Sequence, residues 1–153
     1  MVRIGLVGFP VAHSKSPEIF KGFFEESQIL GSYDLIELPT KAEIEQFFAY
    51  DIFQYQGLNV TIPYKSILID KMDEVSTEVK EIGALNTIVI RDKKLIGYNT
   101  DVYGFMKTMM PLAETSKKAL VFGTGGSSKA IRYVLNALKI PFSFVSRKPL
   151  ENQ

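Results

Sequence analysis

Cysteine is absent from the 153-residue chain, and histidine occurs once, at position 13. Without cysteine there is no disulfide framework, no thiolate zinc site, no iron–sulfur cluster and no cysteine nucleophile. One imidazole excludes a histidine-rich metal site, so no metal is expected, and a Ser-His-Asp triad could run only through His13. Neither sign of charge is in excess: 18 Lys and Arg face 17 Asp and Glu, a net charge of +1. That balance argues against a nucleic-acid or anionic-lipid partner, which demands a concentrated positive field. No apolar run approaches the ~18 residues of a membrane span. Arg3 and the stretch Ile4 to Ala12 imitate a secretion signal poorly, because glycines and Pro10 interrupt it and no small-x-small site follows. A first β-strand is the better reading, and a cytoplasmic protein is the expectation.

What is present suits a folded chain of one domain or two small ones, with 46 % hydrophobic and 23 % charged residues. Strands and helices alternate, which points to an α/β fold with mostly parallel pairing. Strands are expected at Ile4–Gly8, Tyr33–Leu38, Gly57–Thr61, Asn86–Ile90 and Leu95–Tyr98. Between them, Ser16 reads as an N-cap with Pro17 as the first helical residue, and Thr40-Lys41-Ala42-Glu43 matches a capping box. Short helical stretches follow around Ser66–Met72 and Ser76–Ile82, and a helix over Asp101–Met110 closes the first hundred residues. Polar residues Pro111–Lys118 then precede one more strand–helix–strand: Ala119–Phe122, Ser127–Leu138 and Phe142–Val145. The expected organisation is a substrate domain over residues 1–101, followed by a connector helix and the first, incomplete βαβ of a Rossmann-type unit over 102–153.

The second unit carries the segment Gly123-Thr124-Gly125-Gly126-Ser127-Ser128-Lys129-Ala130 directly after a strand. Gly123 permits a tight turn, Gly125 lets backbone approach a phosphate, and the free N–H groups of the following helix face the negative charge. Ser128 replaces the third glycine of the usual dinucleotide fingerprint, and a ligand-free glycine turn is the simpler alternative. The next strand is followed by Ser146-Arg147-Lys148 rather than by an acid that could bond a ribose hydroxyl. An arginine there can pair with a 2′-phosphate, which favours NADP over NAD.

Four polar clusters fall at the ends of expected strands, where open α/β sheets bind ligands. They are His13-Ser14-Lys15-Ser16-Pro17, Asn59-Val60-Thr61-Ile62-Pro63-Tyr64-Lys65, Gly83-Ala84-Leu85-Asn86-Thr87 and Gly97-Tyr98-Asn99-Thr100-Asp101. Their hydroxyls, amides, lysine and aspartate suit a small polyhydroxylated substrate, and a lysine–aspartate pair can move a proton at a carbonyl oxygen. Taken singly each has a structural explanation: Ser14 or Ser16 as a helix cap, Asp101 as a helix start, Asn59 and Asn86 as partners of buried backbone, Lys65 as a surface lysine.

The ordered strings GFPVAHSKSP, NVTIPYK, GALNT, GYNTD and GTGG with a following SRK resemble the shikimate dehydrogenase family over nearly the whole chain. That resemblance implies a reversible, NADP-dependent reduction of 3-dehydroshikimate to shikimate in aromatic amino-acid biosynthesis. It implies Ser14 and Ser16 as ligands of the substrate carboxylate, and Thr61, Asn86 and Asp101 as ligands of the ring hydroxyls. Lys65 and Asp101 correspond to the catalytic pair. Gly123, Gly125, Gly126 and Ser127 correspond to the phosphate turn, and Arg147 to the 2′-phosphate contact. The chain departs from the family pattern after Ser16-Pro17 and at the neighbours of Arg147. It also lacks roughly a hundred further residues, among them a glutamine that the family brings to the substrate. A two-stranded parallel unit is expected to leave apolar surface and a strand edge open. The chain is therefore expected to be part of a longer dehydrogenase, or to be completed by another chain. A non-catalytic shikimate-binding or dimerising module, possible as a homodimer, and a quinate-accepting relative are the alternatives.

Overall fold

The computed structural model describes residues 1–115 and 118–146. Its first sheet is built from β1 (Val2–Gly8), β2 (Gly31–Glu37), β3 (Gly57–Val60), β4 (Glu74–Val75), β5 (Thr87–Arg91) and β6 (Lys94–Tyr98). The strand order is β2-β1-β3-β5-β6-β4. Strand β1 runs parallel to β2 and β3, and β4 parallel to β6, while β5 is antiparallel to both its neighbours. The mostly parallel α/β architecture expected from the alternation is thus present. The two-residue edge strand β4, too short to show a period, was not legible in the sequence.

Local chemistry explains most of the connecting elements. Helix α1 (Ser16–Glu26) carries Pro17 in its first turn, where the missing N–H costs nothing. Its N-cap position is Lys15 rather than Ser16, and no side chain caps it. The Ser16 N–H instead donates to the hydroxyl of Ser14 at 3.2 Å, so the expectation of a Ser16 cap is corrected. Helix α2 (Lys41–Gln46) has the full capping box: Glu43 N–H donates to Thr40 Oγ1, and Thr40 N–H donates to Glu43 Oε2. It ends sooner than its apolar period suggests, widening into a π turn over Phe47–Asp51 that tucks Phe47 and Phe48 into the core. The stretch after Lys65 forms only a 3-10 turn (Ile67–Lys71). Helix α3 (Thr77–Ile82) is capped by Ser76 and closed by Gly83 at φ 66°, a left-handed position that glycine takes without strain.

The main core lies on one face of this sheet, where Val7, Leu58, Val60 and Ile88 pack against Ile52, Leu68, Val79 and Leu85. Helix α1 covers the opposite face through Phe24, and β2 can approach it because Gly31 has no Cβ to meet that ring. From the C-terminal end of β6 the chain enters α4 (Thr100–Met109) and then the second unit, β7 (Ala119–Phe122), α5 (Gly126–Ala137) and β8 (Phe142–Val145). Strands β7 and β8 pair in parallel. Val121, Leu135 and Ile140 form the unit's own small core, with Phe142, Phe144 and residues of α4 packed on it. As expected of so small a sheet, apolar surface stays open: Leu120 is 60 % and Phe122 75 % exposed. Among the described residues, no helix is long and apolar enough to cross a membrane.

Candidate active site

Four chain segments meet at the C-terminal ends of β1 and β3 and the start of α4. The turn after β3 is fixed by backbone bonds from Thr61 N–H to Val7 O and from Tyr64 N–H to Thr61 O. It delivers Lys65, whose own carbonyl accepts from Leu85 N–H at 2.7 Å. Asn86 is wedged between two strand ends: its carbonyl accepts from Val60 N–H and its N–H donates to Tyr98 O. Asn99 caps α4, accepting from Asp101 N–H, while its amide donates to Ala84 O. These bonds put Lys65, Asn86 and Asp101 on three adjacent supports.

Lys65 Nζ lies 2.6 Å from Asp101 Oδ2, and Asn86 Nδ2 donates to Asp101 Oδ1 at 2.7 Å. The lysine side chain is 14 % exposed and the aspartate 33 %, so the pair is largely withdrawn from water yet open on one side. Each oxygen of Asp101 thus has a different task, one toward a cation and one toward an amide. The amide of Asn86 is itself locked: its Oδ1 accepts from Thr100 N–H at 2.8 Å and from Thr87 Oγ1 at 2.9 Å. Asp101 also stands in the first turn of α4, where the helix dipole favours a negative charge. Such a pair can deliver a proton to a carbonyl oxygen from the ammonium while the carboxylate keeps that ammonium in place.

A second cluster surrounds the serines. Ser14 Oγ and Ser16 Oγ are 3.1 Å apart. The Tyr33 hydroxyl donates to Asn59 Oδ1 at 2.9 Å. Burial pushes the Tyr33 phenol above its ordinary pKa, and the nearby Ser16 side chain acts in the opposite direction. The loop that carries Ser14 is held by Glu37, whose Oε1 accepts from Val11 N–H at 2.6 Å and Ala12 N–H at 3.1 Å. Ser14, Thr61 and His13 line one cavity of about 260 Å³. Gly8 sits beneath it, and a Cβ there would collide with Thr61 and Val11.

The glycine turn reaches the same region. Gly123 has φ 95°, a backbone state that glycine readily supplies, and Ser128 is buried with its hydroxyl oxygen 3.6 Å from where a Gly123 Cβ would stand. Gly125 is the N-cap of α5 and contributes no side-chain bond, so the first N–H groups of this 12-residue helix have no capping oxygen. Nothing lies within 4 Å of a Cβ built on Gly125, which leaves room for a phosphate to approach the backbone. Gly126 is different: a Cβ there would sit 2.9 Å from Lys65 Cβ. Ser127 Oγ accepts from Lys65 Nζ at 3.2 Å. Ser127 and Asp101 line a second cavity of about 410 Å³ between α4 and α5.

The structure therefore gathers Lys65, Asp101, Asn86, Gly126 and Ser127 around one point, and it puts Ser14 and Thr61 on a separate cavity, with Ser16 bonded to Ser14. Arg147 lies outside the described residues. Another concavity, about 610 Å³ between α1 and β2, is lined by Phe24, Leu30 and Tyr33 with Lys21 and Glu25. It lacks convergent acid–base groups, so chemistry favours the smaller cavities. Tyr33 and Glu37 escaped notice in the sequence because both act across strands, 26 residues from the loop or strand that they hold. Ser127 was legible as a helix start, but its approach to Lys65, 62 residues away, was not.

Comparison with known proteins agrees with this geometry. The family model for the shikimate dehydrogenase substrate binding domain matches residues 6–88, over half the chain. Shikimate dehydrogenase (NADP(+)) of Carboxydothermus hydrogenoformans is 38 % identical over 133 residues, covering 86 % of this chain and 48 % of that protein. The crystal structure of shikimate dehydrogenase 1 from Peptoclostridium difficile superposes with a TM-score of 0.87 at 36 % identity, over 100 % of this chain and 58 % of that one. Shikimate 5-dehydrogenase from Thermus thermophilus, in complex with shikimate, gives a TM-score of 0.88 at 31 % identity, over 97 % and 57 %. The chain spans about half the length of the curated relatives that it matches. On the family match and the shared architecture, this chain belongs to the shikimate dehydrogenase family.

Proposed function

We propose that the chain serves the NADP-dependent, reversible reduction of 3-dehydroshikimate to shikimate, with residues 1–101 holding the substrate and 102–153 beginning the nucleotide-binding unit. The observation that carries this reading is the 2.6 Å pair of Lys65 Nζ and Asp101 Oδ2, braced by Asn86, with Asp101 lining a cavity that Thr100 and Ser127 also line. In the reducing direction Lys65 Nζ donates a proton to the carbonyl oxygen as it becomes a hydroxyl. Asp101 Oδ2 keeps the ammonium aimed at that oxygen. Ser14 and Ser16 receive the substrate carboxylate, and Thr61, Asn86 and Asp101 bond the ring hydroxyls.

The residues present fit a dinucleotide: the uncapped N-terminus of α5 and the open space at Gly125 suit its diphosphate. Gly123, Gly125, Gly126 and Ser127 would form that cradle, and Arg147 would meet the 2′-phosphate. When bound, the nicotinamide supplies the hydride that reduces the carbonyl carbon. The chain's own contribution is to orient the ring, place the proton and limit water at the pair.

The test combines shikimate titration by calorimetry with loss of NADPH absorbance in the presence of 3-dehydroshikimate. In a full-length dehydrogenase that contains this chain, Lys65→Ala is expected to lower turnover by about 10²–10⁴, the usual worth of a positioned acid–base group, while shikimate binding persists. A Lys65→Ala chain of normal rate contradicts the assignment. A second reading, a shikimate-binding module, draws on the two-stranded β7–β8 sheet and its exposed Phe122. Binding without NADPH oxidation in the wild-type chain selects it.

A further inference from the structure

Lys65 has a second partner besides Asp101, and it comes from the other unit of the chain. Its Nζ donates to Asp101 Oδ2 at 2.6 Å and to Ser127 Oγ at 3.2 Å. An ammonium has three N–H donors and no lone pair, so the direction of both bonds is fixed and one N–H is left over. A bond to Asp101 alone would hold Nζ only at the free end of a flexible four-carbon stem. A second bond, to an oxygen on α5, holds the ammonium from two sides and gives the third N–H one direction.

The approach of Ser127 depends on its neighbour. A Cβ on Gly126 would stand 2.9 Å from Lys65 Cβ, 3.3 Å from Lys65 Cδ and 3.5 Å from Ala84 Cβ. The missing side chain therefore lets the first turn of α5 lie against the lysine stem, with Ser127 Oγ in reach of Nζ. The serine side chain does not cap the helix, whose N-cap is Gly125 with no side-chain bond. Its backbone N–H stays among the uncapped donors of the first turn. The two ends of Ser127 thus face different tasks.

We propose that Ser127 is a positioning residue for Lys65. Its hydroxyl oxygen, together with Asp101 Oδ2, aims the remaining N–H of the ammonium at the substrate carbonyl oxygen, while its backbone N–H serves the dinucleotide. The inference rests on the reading of Lys65 as the proton donor. A hydroxyl suits this task, because it supplies direction without a second negative charge to hold the proton back. Ser127 keeps its own proton throughout; the proton that moves leaves Lys65 Nζ for the carbonyl oxygen.

The first test uses this chain alone and follows the Lys65 ammonium by proton–nitrogen NMR of lysine side chains, its signal assigned by its loss in Lys65→Met. Exchange of its protons with water is expected to quicken about three- to tenfold in Ser127→Ala, the worth of one hydrogen bond. Ser127→Thr keeps the hydroxyl, and its extra methyl has room because Ser127 lines the cavity of about 410 Å³ between α4 and α5. It is expected to exchange as the wild type does. The second test uses a full-length dehydrogenase that contains this chain. There Ser127→Ala is expected to lower kcat by about three- to tenfold, with KM for 3-dehydroshikimate and for NADPH unchanged, and Ser127→Thr to restore it. A Lys65 signal missing from the wild type, exchange unchanged in Ser127→Ala, or equal losses in Ser127→Ala and Ser127→Thr overturns the proposal. So does an effect confined to KM for NADPH, which would make the hydroxyl a phosphate ligand. If Lys65→Ala turns over at the normal rate while Lys65 exchange still responds to Ser127→Ala, the proton-donor reading fails, a result distinct from a failure of the Ser127 contact.

Discussion

Asp101 binds a cation with one oxygen and an amide with the other, and both partners sit in places that water reaches poorly. Removing its charge should therefore cost more than a surface ion pair, because Lys65 is left largely buried without a counter-charge. Asp101→Asn, which preserves shape, is expected to lower both NADPH-linked turnover and the thermal midpoint. An unchanged midpoint in calorimetry would show that the pair is not buried as described. Away from the site, Tyr55 donates to Asp34 Oδ2 at 3.0 Å, and its pKa is pushed up to about 12 by burial first, then by that bond and the Asp34 charge. The fold therefore holds the neutral phenol, whereas an unfolded tyrosine ionises near 10. The resulting stability is present below pH ~10 and declines as pH rises toward ~12. In urea unfolding across that window, Tyr55→Phe should flatten the alkaline decline relative to wild type.

Caps were legible where the chemistry is local. Thr40 and Glu43 are three residues apart and form the box that their spacing predicts, so Thr40→Ala should cost about 1 kcal/mol in denaturant unfolding. Ser16 has an equally good cap signature and yet does not cap. Its hydroxyl is engaged by Ser14, and the cap position passes to Lys15. Ser16→Ala is thus expected to cost less stability than Thr40→Ala while weakening shikimate binding more. The reverse order would restore Ser16 to a capping role. The short strand β4 and the π turn at Phe47–Asp51 follow from tertiary packing, which no local period encodes.

The two sheets are joined through α4 and through the start of α5, where Gly126 lies against Lys65. Lys129 reinforces that seam, donating to Ser66 Oγ at 3.3 Å and to Gly83 O at 3.2 Å. Lys129→Met should speed amide exchange in the first turns of α5 and leave β1 and β3 protected; unchanged exchange would assign the seam to Gly126 alone. Alternation and glycine chemistry made both units readable in the sequence. The meeting of Lys65 with Asp101, 36 residues apart, became readable only through the family's motif strings. Its physical basis is the sheet order, which carries β3 beside β5 and β5 beside β6.

The most direct test of the whole account is a crystal structure of this chain with shikimate bound. One ring hydroxyl is expected within about 3.2 Å of both Lys65 Nζ and an Asp101 oxygen, with the carboxylate on Ser14 and Ser16. Shikimate seated in the groove between α1 and β2, or with its ring turned away from Lys65, would contradict it.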